Sequence, residues 1–256
     1  MAALAWSVVI PAYNEAARLP RYLSRVLSYF DDRGEPYEVL VVDDGSGDDT
    51  GAHVRALGAE HRALHLHTLP ENRGKGHAVR AGMRLAQGAL RLMTDADGAT
   101  PIVEVKRLEA ALHEGADVAI GSRARRDPSV VVQARRHRQV AGRLFHQLVR
   151  GLGVSGIADS QCGFKLFRGP VADDLFAFAR TDGFGFDVEL LLLARRREYR
   201  VAEVPINWAD QAGSKVGLVR DGLRMASEIL AARARIARVP RRVASIRVPL
   251  GDEGRP

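Results

Sequence analysis

Short apolar runs alternate with longer stretches of helical periodicity over the first 120 residues. Residues 5–10, 38–42, 63–68, 89–94 and 117–120 are rich in Val, Ile and Leu and bounded by Gly, Pro, Asp or Asn, which predicts strands. The intervening stretches 15–30, 48–59, 76–87 and 102–113 predict helices. In the first of them Leu19, Leu23, Val26, Leu27 and Phe30 recur at helical spacing. Strand and helix in strict alternation predict an α/β fold, a mostly parallel sheet joined by crossover helices.

The second half is less regular. Residues 133–150 predict a basic helix, 164–167 a short strand, 171–178 a helix and 186–197 a buried helix. Residues 201–208 predict a strand, and 216–238 a long amphipathic helix. The expected organisation is a catalytic domain over 1–212 and a helix over 213–240 that packs on it or on a membrane surface. A tail over 241–256, with few large apolar groups, is expected to be mobile.

Composition narrows the classes. A chain of 256 residues that is 46% hydrophobic has material for a core and excludes dominant disorder. One cysteine, Cys162, excludes a disulfide scaffold and a cysteine-rich zinc site and fits a reducing compartment. No run approaches the roughly 18 consecutive apolar residues of a membrane-spanning helix. The apolar start lacks a basic leader segment and runs into P-A-Y-N-E, so it reads as a strand.

The net charge of +7 is uneven. Residues 1–100 carry 11 basic and 13 acidic side chains, 101–210 carry 17 and 14, and 211–256 carry 10 and 4. A pI near 10.0 raises the alternative of nucleic-acid binding. The aromatics, 6% of the chain, do not interleave with the basic runs as stacking platforms would, so no nucleic-acid partner is expected.

Ligands of open α/β sheets bind beyond the carboxyl ends of the strands. Here those ends read P-A-Y-N-E, D-D-G-S, P-E-N-R-G-K-G and D-A-D-G. Acidic residues beside glycines cap helices and make turns, but Asp-Asp and Asp-x-Asp pairs gathered on one edge also suit a divalent metal or sugar hydroxyls. Mg²⁺ and Mn²⁺ commonly bridge one or two carboxylates to substrate phosphates. Neither a Walker loop nor a G-x-G-x-x-G turn occurs, so a metal on the Asp-x-Asp pair is the natural substitute for a glycine cradle.

These residues carry a resemblance. S-V-V-I-P-A-Y-N-E, V-V-D-D-G-S, N-R-G-K-G and D-A-D-G-A-T are similar to the family 2 nucleotide-sugar glycosyltransferases of the GT-A fold. G-S-R at 121–123, D-S-Q-C-G-F-K at 159–165, F-D-V-E-L at 186–190 and N-W-A-D-Q-A-G-S-K at 207–215 narrow it. Together they resemble the dolichyl-phosphate glucosyltransferases, close to the mannosyltransferases. The resemblance implies that Pro11, Tyr13 and Glu15 contact base and ribose with Asp43, and Lys75 is grouped with this donor side. It implies Asp95 near the ribose, Asp97 on the metal, and the pair together as the metal site. Arg123, Arg138 and Lys165 would face the acceptor phosphate, and Lys215 the diphosphate or the acceptor. Asp97, Asp159 and Asp187 would form the catalytic centre. The activity implied is metal-dependent, inverting transfer of a hexose, best matched by glucose from UDP-glucose, to a polyprenyl or dolichyl phosphate.

Such a reaction displaces a nucleoside diphosphate from an anomeric carbon, and cations must meet the growing negative charge. A hydroxyl acceptor also needs a general base. A phosphomonoester, with its second pKa near ~6, is already mostly dianionic at neutral pH. Between Arg123 and Arg143 stand seven arginines and one acid, Asp127, which favours a phosphate acceptor, with Asp159 or Asp187 orienting groups. Only four of the 38 basic residues are lysine: Lys75, Lys106, Lys165 and Lys215. All but Lys106 sit at or near glycines, where a compact point charge is wanted. Cys162 reads as packing, and His65 and His67 as exposed alternate positions of a strand. Trp208 reads equally as a stacking platform or as packing.

Many relatives carry membrane helices beside the catalytic domain, and no such run occurs here. A soluble hydroxyl or phosphate acceptor therefore stays open. The stretch 216–238 sets Val219, Leu223, Ala226, Ile229, Leu230 and Ile236 broadly on one face, with arginines over the rest. That face packs on the domain or lies on an anionic membrane. The expected location is cytoplasmic, with peripheral contact at the inner face of the membrane. The oligomeric state stays open.

Overall fold

A computed structural model of the chain describes residues 3–133, 156–211 and 218–241. Seven strands form one sheet in the order β3-β2-β1-β4-β7-β5-β8. They are β1 (Trp6–Ala12), β2 (Tyr37–Asp43), β3 (Leu64–Thr68), β4 (Leu90–Thr94), β5 (Val118–Ser122), β7 (Phe164–Arg168) and β8 (Val201–Pro205). β6 (Val132–Gln133) and β9 (Trp208–Ala209) pair in parallel as a second, two-stranded sheet. The main sheet is parallel except at β7, which runs against both β4 and β5.

Helices cover both faces, as a mostly parallel sheet requires. Every residue of β1 is buried, and its side chains divide between two apolar layers. Val8 and Ile10 join α1 (Leu19–Arg33), through Leu23, Val26 and Phe30, and α4 (Val105–His113), through Leu108 and Leu112. Val9 faces α3 (Lys75–Leu85), α5 (Gly169–Phe178), α6 (Phe186–Arg196) and α7 (Leu218–Ile236) through Val79, Leu175, Leu193 and Ile229. A short α2 (Thr50–Glu60) follows β2 and adds Val54 to the first layer.

The sheet opens at one place. β1 and β4 pair only from Trp6↔Leu90 to Val9↔Met93, while β1 continues beside β2 to Ala12↔Asp43. Pro11, which has no N–H to donate, lies on that last stretch, past the final β1–β4 pair. Strand order reverses at this point, since β1 is followed by β2 on one side and neighboured by β4 on the other. Such a switch point leaves a crevice at the strand ends.

Two predicted elements change shape. The first helix starts at Leu19, not at residue 15. Asn14 takes a left-handed φ of 52°, and the Glu15 carbonyl accepts N–H bonds from Arg18 and Leu19 in a turn. Pro20 then sits in the first helical turn, where its missing N–H costs nothing. The strand predicted over 201–208 splits after Pro205, and Trp208–Ala209 turns away to pair with β6. Gln133, where the predicted basic helix begins, ends β6 instead, and the rest of that prediction, 134–150, and most of the tail lie outside the described residues. In α7 the face bearing Met225, Ile229, Ala232 and Ile236 is buried against the domain, whereas Leu223 and Leu230 are exposed.

Candidate active site

Polar bonds between loops build the rim of the crevice. Asn14 N–H donates to Ser46 Oγ at 2.9 Å, Gly47 N–H to Asn14 Oδ1 at 2.8 Å, and Glu15 N–H to Thr50 Oγ1 at 2.7 Å. The segments after β1 and β2 are thereby tied together. Asp43 is buried and accepts Ser46 N–H at 3.0 Å. Its neighbour Asp44 accepts the N–H groups of Arg73 and Gly74 at 3.1 and 2.8 Å, which fastens the segment after β3 to the same rim. Burial raises the Asp44 carboxyl above its usual range, against the pull of those two donors.

The Asp-x-Asp pair closes the far side. Asp95 Oδ1 lies 2.5 Å from Lys75 Nζ. Asp97 Oδ1 accepts Ala99 N–H at 3.0 Å, and its Oδ2 is 3.9 Å from Arg18 Nη1. Arg18 is itself forked onto Glu15, with Nε donating to Oε2 at 2.7 Å. Burial and then the neighbouring Asp95 charge raise the Asp97 carboxyl above the ordinary range. Burial works against the Lys75 ammonium, but Asp95 and Asp187 outweigh it and Lys75 is held charged. A Cβ at Gly163 would meet Asp95 Oδ2 at 2.0 Å, so the D-S-Q-C-G-F-K segment seats the carboxylate directly on its backbone. No other residue fits that contact.

Pro11, Tyr13, Glu15, Lys75, Asp95 and Asp97 share one cleft of about 470 Å³. The remaining predicted residues stand behind it. Asp43 is one residue removed from the lining, which takes Asp44 instead. Arg123, at the end of β5, grips Asp159 through its backbone N–H at 3.0 Å, Nε at 2.6 Å and Nη2 at 2.8 Å, and its guanidinium lies 5.4 Å over the Trp208 ring. Burial favours the neutral Asp159 carboxyl, but Arg123 outweighs it and draws the group below the usual range. Lys165, on β7, is only 1% exposed. Its ammonium is held inside by Asp187 and by the Cys162 carbonyl. Burial raises Asp187, with Lys165 and then Lys75 pulling back. The Cys162 thiol is buried and pushed up to about 12, chiefly by desolvation and then by Asp159, which leaves it protonated and inert. Arg138 and Lys215 lie outside the described residues.

Several residues at the site escaped the sequence reading. Arg18, Asp44 and Arg73 line the cleft, as do Arg224, Met225 and Glu228 of α7. Glu203, on β8, accepts Ser122 Oγ at 2.8 Å and the Asp159 N–H at 2.7 Å, and so sets the loop that carries Asp159.

The donor set bears on a metal. Among the described residues no three His, Cys, Asp or Glu side chains are placed to hold an ion unaided. Two adjacent carboxylates, one of them raised by burial and then by the other's charge, fit Mg²⁺ or Mn²⁺. Such ions take one or two carboxylates and complete their shell with water and substrate phosphate oxygens.

Residues 7–176 match Glycosyl transferase family 2. The dolichyl-phosphate beta-glucosyltransferase of Homo sapiens is 38% identical over 244 residues, covering 90% of this chain and 75% of that protein. Its counterpart in Saccharomyces cerevisiae is 36% identical over 242 residues, covering 88% and 72%. Among solved structures, glucosyl-3-phosphoglycerate synthase from Mycobacterium tuberculosis with Mn²⁺, UDP-glucose and phosphoglyceric acid superposes with a TM-score of 0.65. It is 20% identical and covers 91% of this chain and 80% of that one. At that identity the likeness speaks for the GT-A type of fold.

Proposed function

The chain belongs to glycosyl transferase family 2 and is a glycosyltransferase, and from that premise we propose that it transfers glucose, with inversion, from UDP-glucose to a polyprenyl phosphate of the dolichyl type. The observation that carries this reading is the identity of 38% over nine-tenths of the chain with a protein named for that reaction. The cleft supports it in chemical terms.

In this reading a phosphate oxygen of the acceptor attacks the anomeric carbon while the bond from that carbon to the diphosphate oxygen breaks. The bonding pair leaves on the nucleoside diphosphate. The nucleophile is already an anion, so no side chain has to take a proton. Asp187, sealed behind Lys165, and Asp159, forked onto Arg123, are accordingly braces and not bases. Asp95 and Asp97 would hold a divalent cation, Mg²⁺ or Mn²⁺, which when bound neutralises charge on the diphosphate. Lys75, kept charged between Asp95 and Asp187, adds a fixed cation on the same side. Tyr13, Glu15 and Pro11 line the end of the cleft suited to the nucleoside. The exposed Leu223 and Leu230 of α7, with Arg233 and Arg238 nearby, support peripheral attachment to an anionic membrane.

The test is transfer of radiolabelled glucose from UDP-glucose, with Mn²⁺ or Mg²⁺, to detergent-dispersed polyprenyl phosphate. Label must enter the organic phase with the phosphate and not with free polyprenol. Label appearing only on a water-soluble phosphate such as 3-phosphoglycerate would overturn the lipid acceptor. Flotation with and without phosphatidylglycerol vesicles checks the membrane contact.

A further inference from the structure

Gly183 and Phe184, ahead of α6, and Arg224, Met225 and Glu228 on α7 together form one wall of the cleft. Glu228 organises that wall. Its Oε2 accepts Gly185 N–H at 3.0 Å, and a Cβ at Gly183 would meet its Oε1 at 2.1 Å, so the glycine loop rests on this carboxylate. The same Oε1 accepts Arg224 Nε at 3.1 Å, one helical turn away. Arg224 is 67% exposed, while Glu228 is mostly covered.

Position along the cleft follows from Met225. Gln161 donates its side-chain N–H to Met225 Sδ, and Gln161 stands two residues before Gly163, on which the Asp95 carboxylate rests. Arg224 therefore lies on the side of the cleft that carries Lys75 and the Asp-x-Asp pair. The other cations of the cleft have partners fixed by the rim: Arg18 on Glu15, Lys75 on Asp95, and Arg73 3.5 Å from Asp182. An exposed i,i+4 pair such as Arg224–Glu228 holds its arginine weakly. A guanidinium fork matches phosphate oxygens better than it matches a single carboxylate oxygen.

Building on the proposed nucleotide-sugar donor, we propose that Arg224 binds the outer phosphate of the nucleoside diphosphate, with Glu228 as the partner that holds it until the diphosphate enters. The C-terminal helix is then a working wall of the donor site. When the diphosphate enters, Arg224 leaves Glu228 for a phosphate oxygen, and Glu228 keeps its bond to Gly185. The chemistry is phosphate recognition, which the acceptor phosphate could also supply, so the test separates the two.

Full-length wild type, Arg224→Ala, Arg224→Lys and Glu228→Gln are titrated calorimetrically with UDP and UMP in Mn²⁺, and their apparent KM for polyprenyl phosphate is measured. Arg224→Ala should weaken UDP about tenfold, as loss of a charged hydrogen bond would, and leave UMP nearly unchanged. Arg224→Lys should fall between the two. Glu228→Gln keeps an acceptor for Gly185 and frees Arg224, so UDP should bind as tightly as in wild type or more so. Equal UDP affinity in Arg224→Ala, an equal loss of UDP and UMP, or a change confined to the lipid KM would each overturn the inference. A wild-type chain that does not bind UDP would instead remove the proposed donor, and this inference with it.

Discussion

Methionine in place of Lys165 removes an ammonium from a site that water does not reach. The side chain is 1% exposed, and its partner Asp187 is 5% exposed. Removing one partner of such a pair leaves a buried charge uncompensated, at a cost of about 3 kcal/mol at the lower end of the usual range. The lower end applies because Lys75 also acts on Asp187. For a chain of this size that loss lowers the melting temperature by about 6–12 °C. Thermal and urea unfolding of Lys165→Met, Asp187→Leu and the double variant measure it, and the double variant should regain most of what Lys165→Met loses. The deficit also depends on pH. Without Lys165 the Asp187 carboxyl rises further above its unfolded value, so the native state binds a proton that the unfolded state does not. Stability of the variant is then kept at low pH and lost as pH rises through the folded pKa. The deficit should therefore shrink toward pH ~4. An unchanged melting temperature combined with a large rise in acceptor KM would refute this. It would make Lys165 the acceptor-phosphate ligand that the family resemblance implies.

Other substitutions probe the remaining contacts. Gly163→Ala drives a methyl into Asp95 and should lower kcat by about a hundredfold through displacement of that carboxylate. Its circular dichroism should be native, and a fully active variant would remove Asp95 from the reaction. Asp97→Ala should cost roughly a hundredfold or more in activity and abolish the gain in UDP affinity that Mn²⁺ should give the wild type, measured by calorimetry. Arg123→Ala tests the Asp159 fork. Because Arg123 holds Asp159 below its unfolded pKa, the pair stabilises fully above pH ~3.9 and loses that contribution as pH falls through the folded value. Calorimetric melting from pH 3 to 7 should show the gap between wild type and variant closing on the acid side. Lys106→Ala alters an exposed residue of α4 and should change neither activity nor melting temperature.

Periodicity carried the α/β half because each strand there is a short apolar run with its own turn chemistry. Burial on both faces then made 37–43 and 6–12 read plainly as strands. Strand direction was not legible, since an apolar run such as F-K-L-F looks the same whether β7 runs with the sheet or against it. The strand ends could be read for chemistry because acids beside glycines at a sheet edge face a crevice. What lay behind them could not. Asp43 and Asp44 are adjacent and identical, and only the N–H groups of Arg73 and Gly74 select Asp44 for the cleft. Glu203 sits in V-A-E-V, where alternation suggests a solvent face, yet it is turned toward Ser122 and the backbone of Asp159. Glu228 was hidden for a related reason: on a basic amphipathic helix it reads as one more solvated charge.

The uneven charge of the chain also takes a different meaning once partners are assigned. A basic second half suggested cations waiting for phosphate. Yet Arg123 grips Asp159, Lys165 is enclosed with Asp187, Arg197 forks onto Asp174 and Arg235 reaches Glu189. Arg168 donates to the carbonyls of Leu112 and Ala116, at the end of α4. These residues brace strands and helices that meet at the sheet, and their positive charge is answered within the fold. Net charge therefore overstates how much of this half is free to bind an anion. Two classes of basic residue follow, and they separate experimentally. Removing a bracing cation such as Arg197 should lower the melting temperature and leave the Kd for UDP unchanged. Removing a cleft cation such as Arg224 should weaken UDP with the melting temperature held. A bracing variant that lost nucleotide affinity at full stability would show that the division is misdrawn, and that the cleft extends further behind the sheet edge than its lining indicates.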